Sequence, residues 1–238
     1  MTHEVYRGVL SDIAKIYTAA GFSKVNQVNK KIDSQKILYV NKKVVRDGIQ
    51  ARTGMQQEDY SYVVVAVDDR ADMDYLAFLI NSSPMKVMLG GGSKYLEGIS
   101  IPTSLGTLKK LPVVLLSNEE QSACSFLNTL VTTTYDAIKK ENENSDDLKT
   151  AIRFLLGIRD YIALEVLLDG VLSSPDISVL AAWIGKKKIY DSTQDKHEAM
   201  VALFKSIFSS NDDLRDSMNK MRLYIDENSD AIFKNFPQ

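Results

Sequence analysis

The chain has 238 residues, 45% of them hydrophobic and 25% charged, with a net charge of −2. That is enough for one large domain or two small ones with a substantial core, and the charge balance gives no global pull toward nucleic acid or a membrane surface. The single cysteine, Cys124, excludes an internal disulfide, and no apolar run approaches the ~20 residues that a membrane span needs.

The charge is uneven. Residues 1–140 carry 17 Lys/Arg against 14 Asp/Glu, and residues 141–238 carry 12 against 17. No Arg/Lys-led apolar run opens the chain, so no signal peptide is expected and the expected compartment is the cytoplasm.

In chain order, "VLSDIAKIYTAAGF" predicts a short strand or helix ending at Gly21. Residues 24–52 are strongly basic: Lys24, Lys30, Lys31, Lys36, Lys42, Lys43, Arg46 and Arg52 stand against Asp33 and Asp47. Within them, "KILYV" and "KKVV" predict short strands. "YSYVVVAVD" (60–68) is the clearest strand, a β-branched and aromatic run stopped by Asp68 and Asp69.

Asp72 or Asp74 is placed to cap a helix bearing Leu76, Leu79 and Ile80, which Ser82-Ser83-Pro84 should end. "PMKVML" leads into "GGGS" (90–93), a turn whose glycines are free to take positive φ. "LPVVLL" (111–116) reads as a buried strand. Ser117 and Glu120 have capping-box spacing, and Ala123, Leu127, Leu130, Val131, Thr134 and Ile138 extend a helix to about Lys140.

The polar run "KKENENSDD" (139–147) is the expected domain boundary. Beyond it every pattern is helical. Leu148, Ile152, Leu155 and Leu156 begin one helix, and "DISVLAAWIG" forms a second with Gly185 as its stop. Met200, Leu203, Phe204, Ile207 and Phe208 share one face of a third. Leu214, Met218, Met221 and Ile225 mark a fourth, capped by Asn211, Asp212 and Asp213. The expected class is α/β in the mixed α+β sense: a compact domain over residues 1–140, then an all-helical domain over 146–238.

Enzyme motifs are sparse. His3 and His197 lack partners at metal-ligand spacing, and Cys124 sits on an apolar helix face as a buried structural thiol. "LGGGSK" (89–94) lacks the spacing of a phosphate loop. Asp68, Asp69, Asp72 and Asp74 read as a strand end plus a helix cap rather than a cation site. Asp147-Leu148-Lys149 has the letters of a metal-dependent nuclease, the enzyme alternative, but falls at a helix start. No catalytic residue, metal or cofactor is expected. The basic stretch is the remaining feature with chemistry in it. Lys and Arg supply salt-dependent phosphate contacts, and Asn, Gln and Arg can hydrogen-bond base edges.

Several phrases occur in a telling order. Leu10-Ser11-Asp12-Ile13 runs on to Gly21; "DMDYLAFLINSS" spans Asp72 to Ser83; Gly92-Ser93 precedes Ile99-Ser100; and "LKKLPVVLL" precedes Glu119-Glu120-Gln121. Over residues 8–140 this set resembles the target recognition domain of type I restriction–modification specificity subunits.

The resemblance implies a mixed α/β recognition domain whose loops face DNA. It also implies that the Glu-Glu-Gln helix begins a spacer that carries the next domain or contacts methyltransferase subunits. Such subunits are non-catalytic: they choose the sequence that partners methylate or cut. A full specificity subunit has two recognition domains and this chain has one, so self-association as a dimer is a further expectation.

On this reading Lys30, Lys31, Lys42, Lys43, Arg46 and Arg52 contact the phosphate backbone. Asn26, Gln27, Asn29, Gln50 and Lys94 contact bases or a groove, with Ser93 beside Lys94 in the Gly-Ser loop. The expected partners are double-stranded DNA and a methyltransferase or nuclease subunit, and no membrane. The alternative is a protein-interaction scaffold that keeps the recognition fold without sequence-specific DNA binding.

Overall fold

The structure is a computed structural model that describes residues 5–28, 32–44, 48–54, 60–92, 98, 102–141, 146–168, 177–191, 195–209 and 211–235. It is mixed α+β, with small antiparallel sheets and many helices. Contacts divide the chain into two units between Ser125 and Phe126. The division falls inside a long helix, upstream of the polar run at 139–147.

The N-terminal unit opens with β1 (Tyr6–Val9), α1 (Leu10–Ile13), β2 (Ala14–Thr18) and α2 (Ala19–Val28). The opening phrase therefore folds as alternating short elements, and α2 runs on through Gly21 rather than stopping there. A 3-10 turn (Ser34–Lys36) leads into β3 (Ile37–Asn41), followed by β4 (Ala51–Thr53) and β5 (Tyr60–Ala66). "KKVV" is not a strand where it is described: Lys42 and Lys43 form a bend and Val44 is irregular.

Next come α3 (Met73–Asn81), α4 (Ser83–Leu89), α5 (Leu105–Lys109), β6 (Pro112–Leu115) and the start of α6 (Asn118–Glu141). Pro84 does not merely end α3. It lies in the first turn of α4, where a missing N–H costs nothing. Gly91 and Gly92 take φ of 89° and 68°, and the Gly92 N–H bonds to the Val87 carbonyl, closing that helix.

Among the described residues the strands form two antiparallel sheets. β1 pairs with β6, and a four-stranded sheet has the order β2-β5-β3-β4. The central strand β5 is covered on both faces, which is why its sequence is a continuous apolar run and not an alternation. On one face Leu38, Val40 and Val64 are fully buried, and α3 packs against β3 and β4. On the other, Phe22 of α2 meets Ile37, Val63 and Val65. The Asp72 carboxylate accepts from the Tyr75 N–H and caps α3, while Asp74 accepts from the Thr53 hydroxyl. The capping box at α6 forms as its spacing implies: Glu120 accepts from the Ser117 N–H at 3.0 Å, and Ser117 Oγ accepts from the Glu120 N–H at 3.4 Å.

The described residues of the C-terminal unit form the remainder of α6 with α7 (Asp146–Leu168), α8 (Val179–Tyr190), α9 (Lys196–Ile207) and α10 (Asp213–Asn235). α8 packs against α7, α9 and α10. Its Trp183 is fully buried and stacks on Phe126 at 6.4 Å between ring centroids. Met200, Leu203, Ile207, Leu214, Met218 and Met221 are buried as their spacing predicts.

Three local expectations change. Gly185 lies within α8 and does not stop it. The cap of α10 is Asp212 alone, whose carboxylate accepts from the Leu214 and Arg215 N–H groups, while Asn211 takes φ 61°. Phe208 is 59% exposed and so lies outside the core.

Candidate nucleic-acid interface

The connection between β3 and β4 carries much of the basic segment, and buried polar groups fix it from behind. The Asn81 side chain, at the end of α3, accepts from the Gln50 and Ala51 N–H groups at 2.7 and 2.9 Å and donates to the Ala51 carbonyl at 2.9 Å. Lys86 of α4 is buried and its Nζ donates to the Gly48 carbonyl at 2.7 Å. The Thr103 N–H donates to the Lys42 carbonyl, and the Tyr62 hydroxyl donates to the Thr103 carbonyl. Buried backbone groups must find such partners, so the exit from β3 is held in one place.

This placement leaves Lys42 and Lys43 exposed at the end of β3. Gln50 is a correction. It is 1% exposed, and its amide donates to the Asn41 carbonyl at 2.6 Å. It builds the loop and cannot reach a base. Asn26 is exposed on α2, and Gln27 lies on the same helix with its side chain outside the described ones. Arg52 is half-buried on β4. Asn29, Lys30, Lys31, Arg46, Ser93 and Lys94 lie outside the described residues.

Strand register brings together groups that spacing alone did not. Paired residues of antiparallel strands point to the same face. Tyr17 pairs with Val63, Val63 with Tyr39, and Tyr39 with Arg52. One row therefore crosses all four strands as Tyr17, Val63, Tyr39 and Arg52. Tyr60 meets Tyr39 edge-on at 4.7 Å between ring centroids. All three tyrosines are partly buried against the Phe22, Ile37, Val63 and Val65 cluster. Burial, with the nearby Tyr60 adding to it, holds the Tyr39 hydroxyl above its usual range, so the group stays neutral.

Helix α2 packs on β2 and β5, the Tyr17 half of this face, where Phe22 lies 6.1 Å from Tyr17. Tyr39 on β3, Arg52 on β4 and Tyr60 at the start of β5 are each only partly buried. Lys15 occupies the neighbouring row and is exposed, as is Lys24 on α2. Tyr17 and Tyr60 were not singled out from sequence. The signal was a repeated tyrosine in strand-forming runs, and it needs the register to become a surface.

The other candidates resolve into structure. Asp68 pairs with Arg70 at 2.7 Å, and that pairing lowers its pKa; Asp69 pairs with Lys36 at 2.5 Å. Arg70 also lies 5.5 Å from the centre of the Tyr6 ring. Cys124 is fully buried. Lys149 lies at the start of α7, with the side chains of Asp147 and Leu148 outside the described ones; His197 lies on α9 with its side chain likewise outside, and His3 lies outside the described residues. Among the described residues no three His, Cys, Asp or Glu side chains are placed to hold a metal ion, and no helix is long and apolar enough to cross a membrane.

No protein-family model, curated protein or solved structure matches this chain. Function is therefore read from this sheet face, its basic surroundings and the ordered phrases of the sequence.

Proposed function

We propose that the chain is a non-catalytic, cytoplasmic DNA-recognition module of a restriction–modification-like system. Its N-terminal unit engages DNA, and its helical region recruits a methyltransferase or nuclease subunit or a second copy. The observation that carries the reading is the arrangement of the basic segment. Exposed Lys42 and Lys43 leave a loop pinned by Asn81 and Lys86, beside a sheet face that presents Arg52. Cations on a fixed backbone suit phosphate contacts, and the ordered resemblance to target recognition domains supports DNA as the polyanion.

The test is duplex binding at about 50 and 200 mM salt, between which a protein making several phosphate contacts loses orders of magnitude in affinity. Absence of binding at the lower salt overturns the reading.

A second reading, a protein-interaction scaffold, has its own observation. Phe154, Phe204 and Phe208 form an aromatic cluster in the helical unit, with Phe204 and Phe208 rings 4.8 Å apart and Phe208 exposed. Exposed aromatic clusters favour interfaces. If Phe208→Ser abolishes function while Lys42→Ala with Lys43→Ala is silent, the scaffold reading replaces the first.

A further inference from the structure

We propose that the part of the sheet face around Tyr39 and Tyr60 is a stacking platform for an unpaired base, so that the protein holds a single-stranded or locally unpaired segment of its DNA. The inference rests on the DNA reading above and names the form of nucleic acid that this face takes.

The occupant follows from three features of one surface. Tyr39 of β3 and Tyr60 of β5 present partly exposed aromatic rings set edge-on to each other. Arg52 is in register with Tyr39 on the adjacent strand, and a guanidinium there suits either stacking or a phosphate. Lys42 and Lys43 extend the cationic rim at the end of β3. A duplex hides the faces of its bases in the stack, so paired DNA can use the lysines but not the rings. An unpaired base can use both, and base–aromatic stacking tolerates any sequence.

The chemistry also argues against a purely apolar ligand. The rings pack on Phe22, Ile37, Val63 and Val65, but Arg52 in register with Tyr39 and Lys42 and Lys43 beyond β3 give the surface a positive charge that a purely apolar ligand would not use. Tyr17 lies in the same row, two strands from Tyr39 and against Phe22 of α2, so the platform is limited to Tyr39 and Tyr60.

The test compares a labelled oligothymidylate, an abasic strand of equal length and a duplex, each with the full-length chain at low salt. The phosphates of the first two match, so their difference reports the bases. The oligothymidylate should bind about tenfold more tightly than the abasic strand. Tyr39→Leu should erase that difference, and Tyr39→Phe, which keeps the ring, should preserve it. The Phe variant also guards against misreading a folding defect in the Leu variant, as does a melting curve for each.

Equal binding of the two strands, or a difference that survives Tyr39→Leu, overturns the platform. If the duplex still binds in a salt-dependent way, the platform falls and the DNA-recognition reading stands. If none of the three binds, both fall.

Discussion

At the scale of single residues, the informative side chains are polar groups whose burial fixes their role. Tyr75 is fully buried, and its hydroxyl donates to the Val114 carbonyl at 2.6 Å. Burial raises its pKa well above 10.0, with Cys124 and Glu120 adding to the effect. The contribution to stability is therefore whole below the unfolded value of 10.0 and is lost as pH rises toward the folded one, because only the unfolded chain releases its proton easily. Melting temperature followed from about pH 8 to 11 should fall at the alkaline end, and less steeply in Tyr75→Phe. At neutral pH that variant should cost about 1 kcal/mol for the missing hydrogen bond. Lys42 and Lys43 offer the opposite case, exposed charges at the end of a strand. Replacing each with Ala should leave the melting temperature unchanged, weaken all duplexes alike and lower the salt slope by about one for every phosphate that is no longer neutralised.

At the scale of elements, local signals agree with the structure where a short window contains them whole. The capping box of Ser117 and Glu120 and the β-branched run of β5 are of this kind, so both are legible in the sequence. Proline punctuation holds in part and glycine punctuation fails where packing overrides it. Ser82-Ser83-Pro84 ends α3 at Asn81 as read but also opens α4, and α8 continues through Gly185 to Tyr190. A Cβ built at Gly185 meets nothing within 4 Å. Gly185→Ala should then stabilise the protein by about 0.5–1 kcal/mol in denaturant titration, because it keeps the helix and lowers the entropy of the unfolded chain. The cap of α10 shows the reverse. Asp212 is 2% exposed, and its second oxygen pairs with Lys186 at 2.7 Å. Asp212→Ala should cost about 2 kcal/mol, and Asp212→Asn less, since an amide still caps the helix.

The candidate site is only partly legible for a related reason. The basic composition of residues 24–52 shows directly in the sequence. The tyrosine row does not, because Tyr17, Tyr39 and Arg52 become neighbours only through the pairing of four strands. Gln50 misleads because a polar side chain need not be exposed, and its amide completes a buried loop.

At the scale of the whole molecule, charge and fold divide along the chain together. The excess of Lys and Arg lies in residues 1–140, which hold the sheets, and the excess of acid lies in the helical remainder. If DNA affinity belongs to the sheet face, charge removal on α10, such as Asp226→Asn with Glu227→Gln, should leave the salt slope of DNA binding within error. A slope that changes by one or more would place contacts on the helices instead.

The Asn81 amide has a consequence for how this molecule can meet others. Among the described residues β4 is bordered by β3 on one side and by no strand on the other. Such an edge ordinarily offers free backbone groups to any passing extended chain. Here one side chain supplies both the acceptor and the donor that a neighbouring strand would bring to Ala51. It stands in for a fifth strand one residue long. Growth of the sheet at Ala51 is thereby blocked, and partners are left to the side-chain face. Removing that amide would cost fold stability and also leave a sticky margin, so Asn81→Ala should aggregate on concentration, as light scattering would reveal.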